Sequence, residues 1–314
     1  MKRGETLNID SVKEYLLKFG VWRRLVQLLS FVFFSAIVFN LGSLPLLLPV
    51  MWTWGLNQNT VGDALTAVQF SFYEAVFPWL AFSSFLIAGI LIGKSLCGWV
   101  CPFGFVQDLI GFVKRRKNDF SVRTHEPMAY VKYAVLVAVL FVSGTFGLTK
   151  AMGIGGSYER SLGVFTKAPF TALSPAEMLF ATLPNKTLEF RLDIATRPFS
   201  EVAAGLGNLS AMFWAQFAIT VAVLGFVFFI PRGWCRYFCP HGAIMAVMNR
   251  FSFIGLRRDP VKCAKGGCRL CVQACPMRVP ILDLPWEKFS HPECIYCMKC
   301  ADACKDKAIR LKYP

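Results

Sequence analysis

The sequence predicts an α-helical membrane protein with four transmembrane helices in two parallel repeats, followed by a small α+β domain. Three observations support this prediction. Only 17% of the 314 residues are charged and the mean hydropathy is +0.49, whereas a soluble domain carries about a quarter charged residues. Four apolar runs approach the length that crosses a bilayer. All twelve cysteines fall into four short clusters, and two of these clusters lie in the C-terminal segment.

The four apolar runs predict a multi-pass topology. A bilayer core requires about 20 apolar residues, and the runs lie at residues 25–42, 76–93, 131–148 and 212–230. Lysine and arginine precede the first run, follow the second and follow the fourth, whereas the segment after the first run contains neither. Such residues collect in cytoplasmic loops, so we expect both termini in the cytoplasm, with residues 1–24 as a cytoplasmic segment. Since no small-residue cleavage site follows the first run, we expect a retained anchor in the inner membrane of a prokaryote.

Each predicted half of the membrane domain, residues 25–258, ends in the same motif. Cys97 and Cys101, and later Cys235 and Cys239, have the spacing C-x-x-x-C-P with a glycine two residues after the proline. This repetition predicts halves related by an axis along the membrane normal. In a helix, residues four apart share a face, so the symmetry would bring the four thiols together. The options there are a third metal or redox site (a cluster, soft Cu(I) or a redox disulfide) and buried free thiols.

The other eight cysteines lie in residues 259–314, which we expect to form a separate cytoplasmic domain. Each of the two runs has three closely spaced cysteines and a fourth one further on. In two-cluster ferredoxins the fourth cysteine of each run ligates the other cluster. On that pattern, the ligands of one [4Fe-4S] cluster are Cys263, Cys268, Cys271 and Cys304, and those of the other are Cys294, Cys297, Cys300 and Cys275. Zinc and disulfides are the alternatives, but the third cysteine of each run favours iron–sulfur. The wider Cys263–Cys268 spacing contains Gly266 and Gly267.

The charge distribution and the histidine content argue against two further functions, nucleic-acid binding and haem binding within the bilayer. The net charge of +15 is spread around the apolar runs without interleaved aromatic residues, which argues against nucleic acid as a partner. The three histidines lie outside the runs, so we do not expect a haem ligated by two histidines within the bilayer. His241 follows the second motif and is interpreted as an ordinary interfacial histidine, with a quinone or metal contact as the alternative. Asp63 is expected in an external loop.

The motifs together resemble a known family. Cys97-Gly-Trp-Val-Cys101-Pro, Gly233-Trp-Cys235-Arg-Tyr-Phe-Cys239-Pro-His-Gly and the two C-terminal runs are similar to those of the NapH-type membrane ferredoxins, which are related to the membrane part of NosR-type proteins. The resemblance implies an iron–sulfur protein in membrane lipid that passes electrons between quinol and other redox subunits, either iron–sulfur proteins or cytochromes. It does not extend to the loop at residues 150–210.

Two other functions remain open at this point. The C-x-x-x-C-P pairs also resemble those of CcoG-type oxidase assembly factors, which would imply a metal (copper) reductase or an assembly factor. Alternatively, the spans are a purely structural anchor for a ferredoxin subunit that serves a neighbouring enzyme. Copper at the four motif cysteines would favour the first alternative, and electron transfer that survives their replacement would favour the second.

Overall fold

A computed structural model describes residues 19–34, 47–51, 62–113, 122–184, 186–187, 210–263 and 268–313. The helices are α1 Phe19–Phe34, α2 Ala64–Tyr73, α3 Trp79–Ile92, α4 Ser95–Trp99, α5 Pro102–Val113, α6 Val122–Ala151, α7 Gly155–Leu162, α8 Pro175–Glu177, α9 Ala211–Phe229, α10 Gly233–Tyr237, α11 Pro240–Met248, α12 Leu270–Ala274 and α13 Lys299–Asp302. The strands are β1 Leu47–Leu48, β2 Gly62–Asp63, β3 Gly255–Arg258 and β4 Ile309–Lys312. Short 3₁₀ turns at Gly163–Thr166, Thr171–Leu173 and Asn249–Phe251 and a π-helical turn at Met178–Thr182 complete the helical part.

Two helices within the described residues are long and apolar enough to cross a membrane, Thr124–Ala151 within α6 and α9. The first contains the third predicted span, and α9 contains all of the fourth except residue 230. Most of each helix surface is exposed in the isolated chain, including large apolar side chains such as Phe141 (67% exposed) and Phe229 (53%). A soluble protein rarely exposes such continuous apolar surface. The two helices therefore support a membrane protein.

The first two predicted spans differ from these helices. The second, residues 76–93, forms α3, whose 14 residues extend about 21 Å at 1.5 Å per residue. A hydrocarbon core is about 30 Å thick, so α3 is too short to cross it upright. Pro78 precedes α3 and Gly93, with φ of +58°, ends it. The first predicted span begins in α1 and continues into residues 35–42, which lie outside the described residues. The four-span plan therefore stays a prediction.

The segment after the first predicted span contains a helix that sequence reasoning missed. The side chain of Asp63 accepts hydrogen bonds from the backbone N–H groups of Leu65 and Thr66 and so begins α2. α2 then packs against α3 and α6. Asp63 itself is only 3% exposed. Asp63 therefore caps a buried helix, and its expected position on the external side of the membrane stays a prediction.

The C-terminal residues pack directly on the membrane helices. β3 and β4 form an antiparallel pair with Gly255 opposite Lys312 and Arg258 opposite Ile309. One hydrophobic core includes buried residues from both parts of the chain, among them Phe85, Cys97, Ile295 and Cys300. β3 precedes the predicted domain boundary at residue 259, which stays a prediction.

Candidate iron–sulfur sites

The four cysteines of the repeated motif lie together in the interior. Cys97, Cys101, Cys235 and Cys239 are each at most 6% exposed. Cys239 interacts electrostatically with the other three, and Cys101 interacts with Cys97 and Cys235. The sequence repeat therefore brings the thiols of its two copies into one buried region.

The two motifs have the same local structure. The N–H of Cys101 donates to the carbonyl of Leu96, and that of Cys239 donates to the carbonyl of Trp234, both at 3.0 Å. The proline after each second cysteine begins a new helix, α5 or α11, where the lost N–H costs nothing. The glycine two residues later lies against the motif: a Cβ on Gly104 would come 3.1 Å from the Cys97 carbonyl oxygen, and one on Gly242 would come 3.2 Å from that of Cys235.

Four of the C-terminal cysteines surround one apolar cavity. Its lining includes Cys275 from the first run and Cys294, Cys297 and Cys300 from the second. The remaining lining side chains are mainly apolar, among them Met277. These are the four cysteines that the ferredoxin pattern assigns to a single cluster, and here the fourth cysteine of one run lies with the first three of the other.

The other C-terminal cysteines form a second group, which includes the exposed Cys268. Cys271 interacts electrostatically with Cys263 and Cys304. Cys268 is exposed, and Cys263 and Cys304 are partly exposed. Cys271 also interacts with Cys300, so the two groups of cysteines adjoin each other. Residues 264–267, with Gly266 and Gly267 of the widened spacing, lie outside the described residues.

Backbone amides are directed at the cysteine sulfurs in a repeated pattern. The N–H of Val279 donates to Cys275 Sγ and the N–H of Ala308 donates to Cys304 Sγ, each at 3.4 Å. In each case the donor follows the cysteine by four residues, and the intervening residue three positions on has a positive φ, 53° at Arg278 and 48° at Lys307. Hydrogen bonds to sulfur tune and stabilise iron–sulfur clusters, so the backbone here suits ligation by thiolates.

The residues present fit iron–sulfur clusters in their charge as well. Lys94 and Lys132 are fully buried and share one carboxylate, Glu293. Arg23 and Arg232 share Asp108 in the same way. Each group therefore carries net positive charge close to the thiols. A cluster with four thiolate ligands is an anion, and buried cations stabilise it.

The buried cysteine thiols would ionise only on binding a metal centre. Burial raises the pKa of the Cys97 and Cys275 thiols to about 11 each, so both would be protonated at neutral pH. Metal coordination removes the proton from a ligating thiol. Within the described residues, no three His, Cys, Asp or Glu side chains converge closely enough to hold a single metal ion. Cys275, Cys294, Cys297 and Cys300 instead line a common cavity.

Residues 293–297, here called the cavity loop, contact the first motif directly. Trp99 Nε1 in α4 donates to the carbonyl of Tyr296 at 2.8 Å. Asn249 Nδ2 donates to the carbonyl of Cys294 at 3.1 Å, while its Oδ1 accepts from the N–H of Lys94 at 2.9 Å. The residues around Cys297 are therefore held against the helix that carries Cys97.

Comparison with known proteins identifies the repeated segment. A family model described as "4Fe-4S binding domain" matches the chain twice, at residues 75–118 and at residues 212–258. Each match contains one C-x-x-x-C-P motif, and neither includes the eight C-terminal cysteines. The chain thus contains two copies of a segment found in iron–sulfur proteins.

Relatives extend the similarity to most of the chain. The ferredoxin-type protein NapH of Haemophilus influenzae is 24% identical over 94% of this chain and 90% of its own length. The predicted resemblance to NapH-type ferredoxins is confirmed. An uncharacterized protein of Methanocaldococcus jannaschii is 24% identical over 73% of this chain and 76% of its own length. The regulatory protein NosR of Pseudomonas aeruginosa is 26% identical over 82% of this chain, which spans only 32% of NosR. No solved structure matches the chain.

Sequence reasoning missed one interaction of the second motif, the pairing of His241 with Asp63. His241, expected at an interface, is 1% exposed and its Nε2 pairs with the carboxylate of Asp63. The equivalent position of the first motif is Phe103, which is fully buried against the Trp234 ring. The motif alignment alone marks this difference between the halves. It could not name the partner, since Asp63 lies 178 residues away.

The contact between α4 and the cavity loop leads to a first prediction, the substitution Gly98→Ala. A Cβ on Gly98 would lie 2.2 Å from the carbonyl oxygen of Ile295, so the loop must shift. We expect the midpoint of thermal unfolding to fall, with a loss of about 1–3 kcal/mol in the free energy of unfolding. Gly111→Ala is the control, because a Cβ there meets nothing within 4 Å and alanine favours a helix by up to about 1 kcal/mol. Equal unfolding midpoints for the two variants would contradict the contact.

Proposed function

We propose that the chain is a membrane-bound iron–sulfur protein that passes electrons between the quinol pool and a respiratory partner. One observation carries the proposal: Cys97, Cys271, Cys297 and Cys300 lie in one hydrophobic core, and Cys271 interacts electrostatically with Cys300. Iron–sulfur clusters supply one-electron transfer, and such a series would connect the membrane interior with the protein surface. The names of relatives, ferredoxin-type protein NapH among them, support electron transfer.

The proposed cofactors are two [4Fe-4S] clusters in the C-terminal part. One would be held by Cys275, Cys294, Cys297 and Cys300, and its support is the shared cavity. The other would be held by Cys263, Cys268, Cys271 and Cys304, and its support is the electrostatic proximity of Cys271 to Cys263 and Cys304. The chain's own contribution is to exclude water from the first cluster, to direct amides at sulfur, and to place buried cations nearby.

The proposal includes a third site, formed by Cys97, Cys101, Cys235 and Cys239. We assign it to an iron–sulfur cluster. The support is the 4Fe-4S family model, whose two matches coincide with the two motifs, and the buried cation Arg232. Arg232 Nη1 donates to the carbonyl of Cys97 at 2.8 Å and interacts electrostatically with Cys235.

We also propose the four-span, two-repeat arrangement in membrane lipid, with both termini in the cytoplasm. The equal local structure of the two motifs supports the repeat. The two long apolar helices, α6 and α9, support two of the spans, and the distribution of lysine and arginine supports the orientation. Cysteine labelling of residues in the predicted cytoplasmic segments, from either side of sealed vesicles, tests it.

The function is tested anaerobically on purified, oxidised protein. Menaquinol or ubiquinol releases two electrons and two protons on oxidation, and cluster reduction is followed by visible bleaching and EPR. We expect bleaching within the time of enzyme turnover. If clusters that respond to dithionite do not respond to quinol, the quinol link is wrong, and reduction of a metal ion such as copper becomes the better hypothesis.

A second prediction concerns the motif cysteines. We expect Cys235→Ala to slow quinol-driven reduction of the C-terminal clusters by about 10- to 100-fold or more, because it removes a ligand of the proposed relay site. Reduction by dithionite should stay unchanged. Ser143→Ala, also a buried small side chain (2% exposed), is the control for packing. Unaltered quinol-driven reduction in Cys235→Ala would favour a membrane part that serves only as an anchor.

A further inference from the structure

Cys263 and Cys304 lie near the end of β3 that is farther from α3. The N–H groups of Phe19 and Gly20, at the start of α1, donate to Asp302, two residues before Cys304. β3 begins beside α3, where the N–H of Phe253 donates to the carbonyl of Ile90 at 2.8 Å. From Gly255 to Arg258 the strand then extends about 10 Å, at 3.3 Å per residue. Asp259, at its far end, donates through its N–H to the carbonyl of Ala308. This end carries Cys263 and Cys304.

Basic side chains surround these cysteines. The exposed residues that flank Cys263, Cys268 and Cys304 in sequence include four cations, and the electrostatic proximity of Cys271 to Cys263 and Cys304 brings them to one face. We call them the basic rim: Lys262, Arg269, Lys305 and Lys307. Two acids lie nearby, Asp306, which is exposed, and Asp259, which accepts hydrogen bonds from the N–H groups of Val261 and Lys262.

Apolar side chains lie inside the basic rim. Val261 is 91% exposed and Leu270 is 37% exposed, and they precede Cys263 and Cys271, respectively, by two residues and one residue. A small apolar centre with a charged rim suits transient docking of another protein, where charge guides the encounter and the apolar contact brings the redox groups close. Exposed Cys268 places the proposed cluster at this centre.

We propose that this face is the docking surface for a soluble, acidic electron-transfer protein. The inference rests on the proposed cluster at Cys263, Cys268, Cys271 and Cys304. One electron crosses the contact and no bond forms or breaks. Charge complementarity selects an acidic partner, because the rim carries four cations. The proposed cluster at exposed Cys268 favours a redox protein over anionic lipid as the occupant, because only a redox protein exchanges electrons with it.

The test uses the full chain in nanodiscs of neutral lipid and, as the probe, a reduced acidic plant-type [2Fe-2S] ferredoxin, which is a strong one-electron donor. Stopped-flow bleaching gives the second-order rate constant for electron transfer. We expect it to fall at least about tenfold between about 50 mM and 500 mM salt, since screening weakens charge-guided encounter. We expect Lys262→Glu combined with Arg269→Glu to lower it about tenfold at low salt.

Lys312→Glu is the matched control for Lys262→Glu alone, since each reverses one charge. At the opposite end of β4 it should alter the rate constant less than about twofold. Reduction by dithionite, measured in every variant, reports the clusters separately: if they are missing, the proposed function fails and not the docking surface. A rate constant independent of salt, or equal slowing by Lys312→Glu, would overturn the docking proposal. So would loss of the salt dependence when the nanodisc contains anionic phosphatidylglycerol, which would assign the rim to lipid.

Discussion

Cys275→Ala is expected to remove the cluster of the second cysteine run and to leave the cluster of its own run in place. Cys275 lines the cavity together with Cys294, Cys297 and Cys300, whereas Cys271, from the same run as Cys275, interacts with Cys263 and Cys304. Iron content should fall by about four atoms per chain. Quinol-driven reduction of the surviving cluster should be lost or greatly slowed, because the missing cluster lies between it and the motif cysteines.

Double variants make this prediction decisive. If Cys275 and Cys294 bind the same cluster, Cys275→Ala with Cys294→Ala loses no more iron than either single variant. Cys275→Ala with Cys271→Ala should lose about eight atoms, since these cysteines are assigned to different clusters. Iron analysis and EPR spin quantitation measure both. The opposite result, in which the pair from one run behaves as a single site, would show that each run binds its own cluster.

The cysteine sites stay predictions, and the sequence could make them because the information they need is local. Spacing within a run is set by one turn of chain, and the exchange of fourth ligands follows from a rule about that spacing. The equal structure of the two motifs was predictable for the same reason, since Pro102 and Pro240 each begin a helix at a fixed distance from the cysteines. α6 and α9 were predictable because long apolar helices in lipid need little tertiary information.

The rest depends on contacts between distant residues. Asp108 looks like a surface acid in the sequence, but it accepts from Arg23, Arg232 and Gln27, and the nearest of these is 81 residues away. α3 lies in an apolar run that a hydropathy window extends to full span length, whereas Pro78 and the positive φ of Gly93 limit the helix to 14 residues. Hydropathy averages over such local breaks and therefore overestimates the length of a span.

Glu293→Gln is expected to detach the cavity loop from the membrane helices. The Glu293 carboxylate accepts from Lys94 at 2.9 Å and also from Lys132. Burial alone would raise its pKa, but the two lysines outweigh burial and lower the pKa to about 2, so it is ionised at neutral pH. Glutamine would leave two fully buried ammonium groups without this carboxylate. Removing one partner of a buried ion pair costs about 3–5 kcal/mol, and we expect a loss of that size in the free energy of unfolding.

The cluster beside Glu293 should respond in a way that simple unfolding would not produce. Glu293 precedes Cys294, so the loss of its negative charge favours the reduced cluster and should raise the reduction potential, measured by EPR-monitored titration. Glu287→Gln, at an exposed position in the same part of the chain, should change neither the stability nor the potential. Adding Lys132→Met to Glu293→Gln removes one of the stranded charges and should restore part of the stability. If the double variant were no more stable than Glu293→Gln alone, the ion pair could not be what holds the loop against α4.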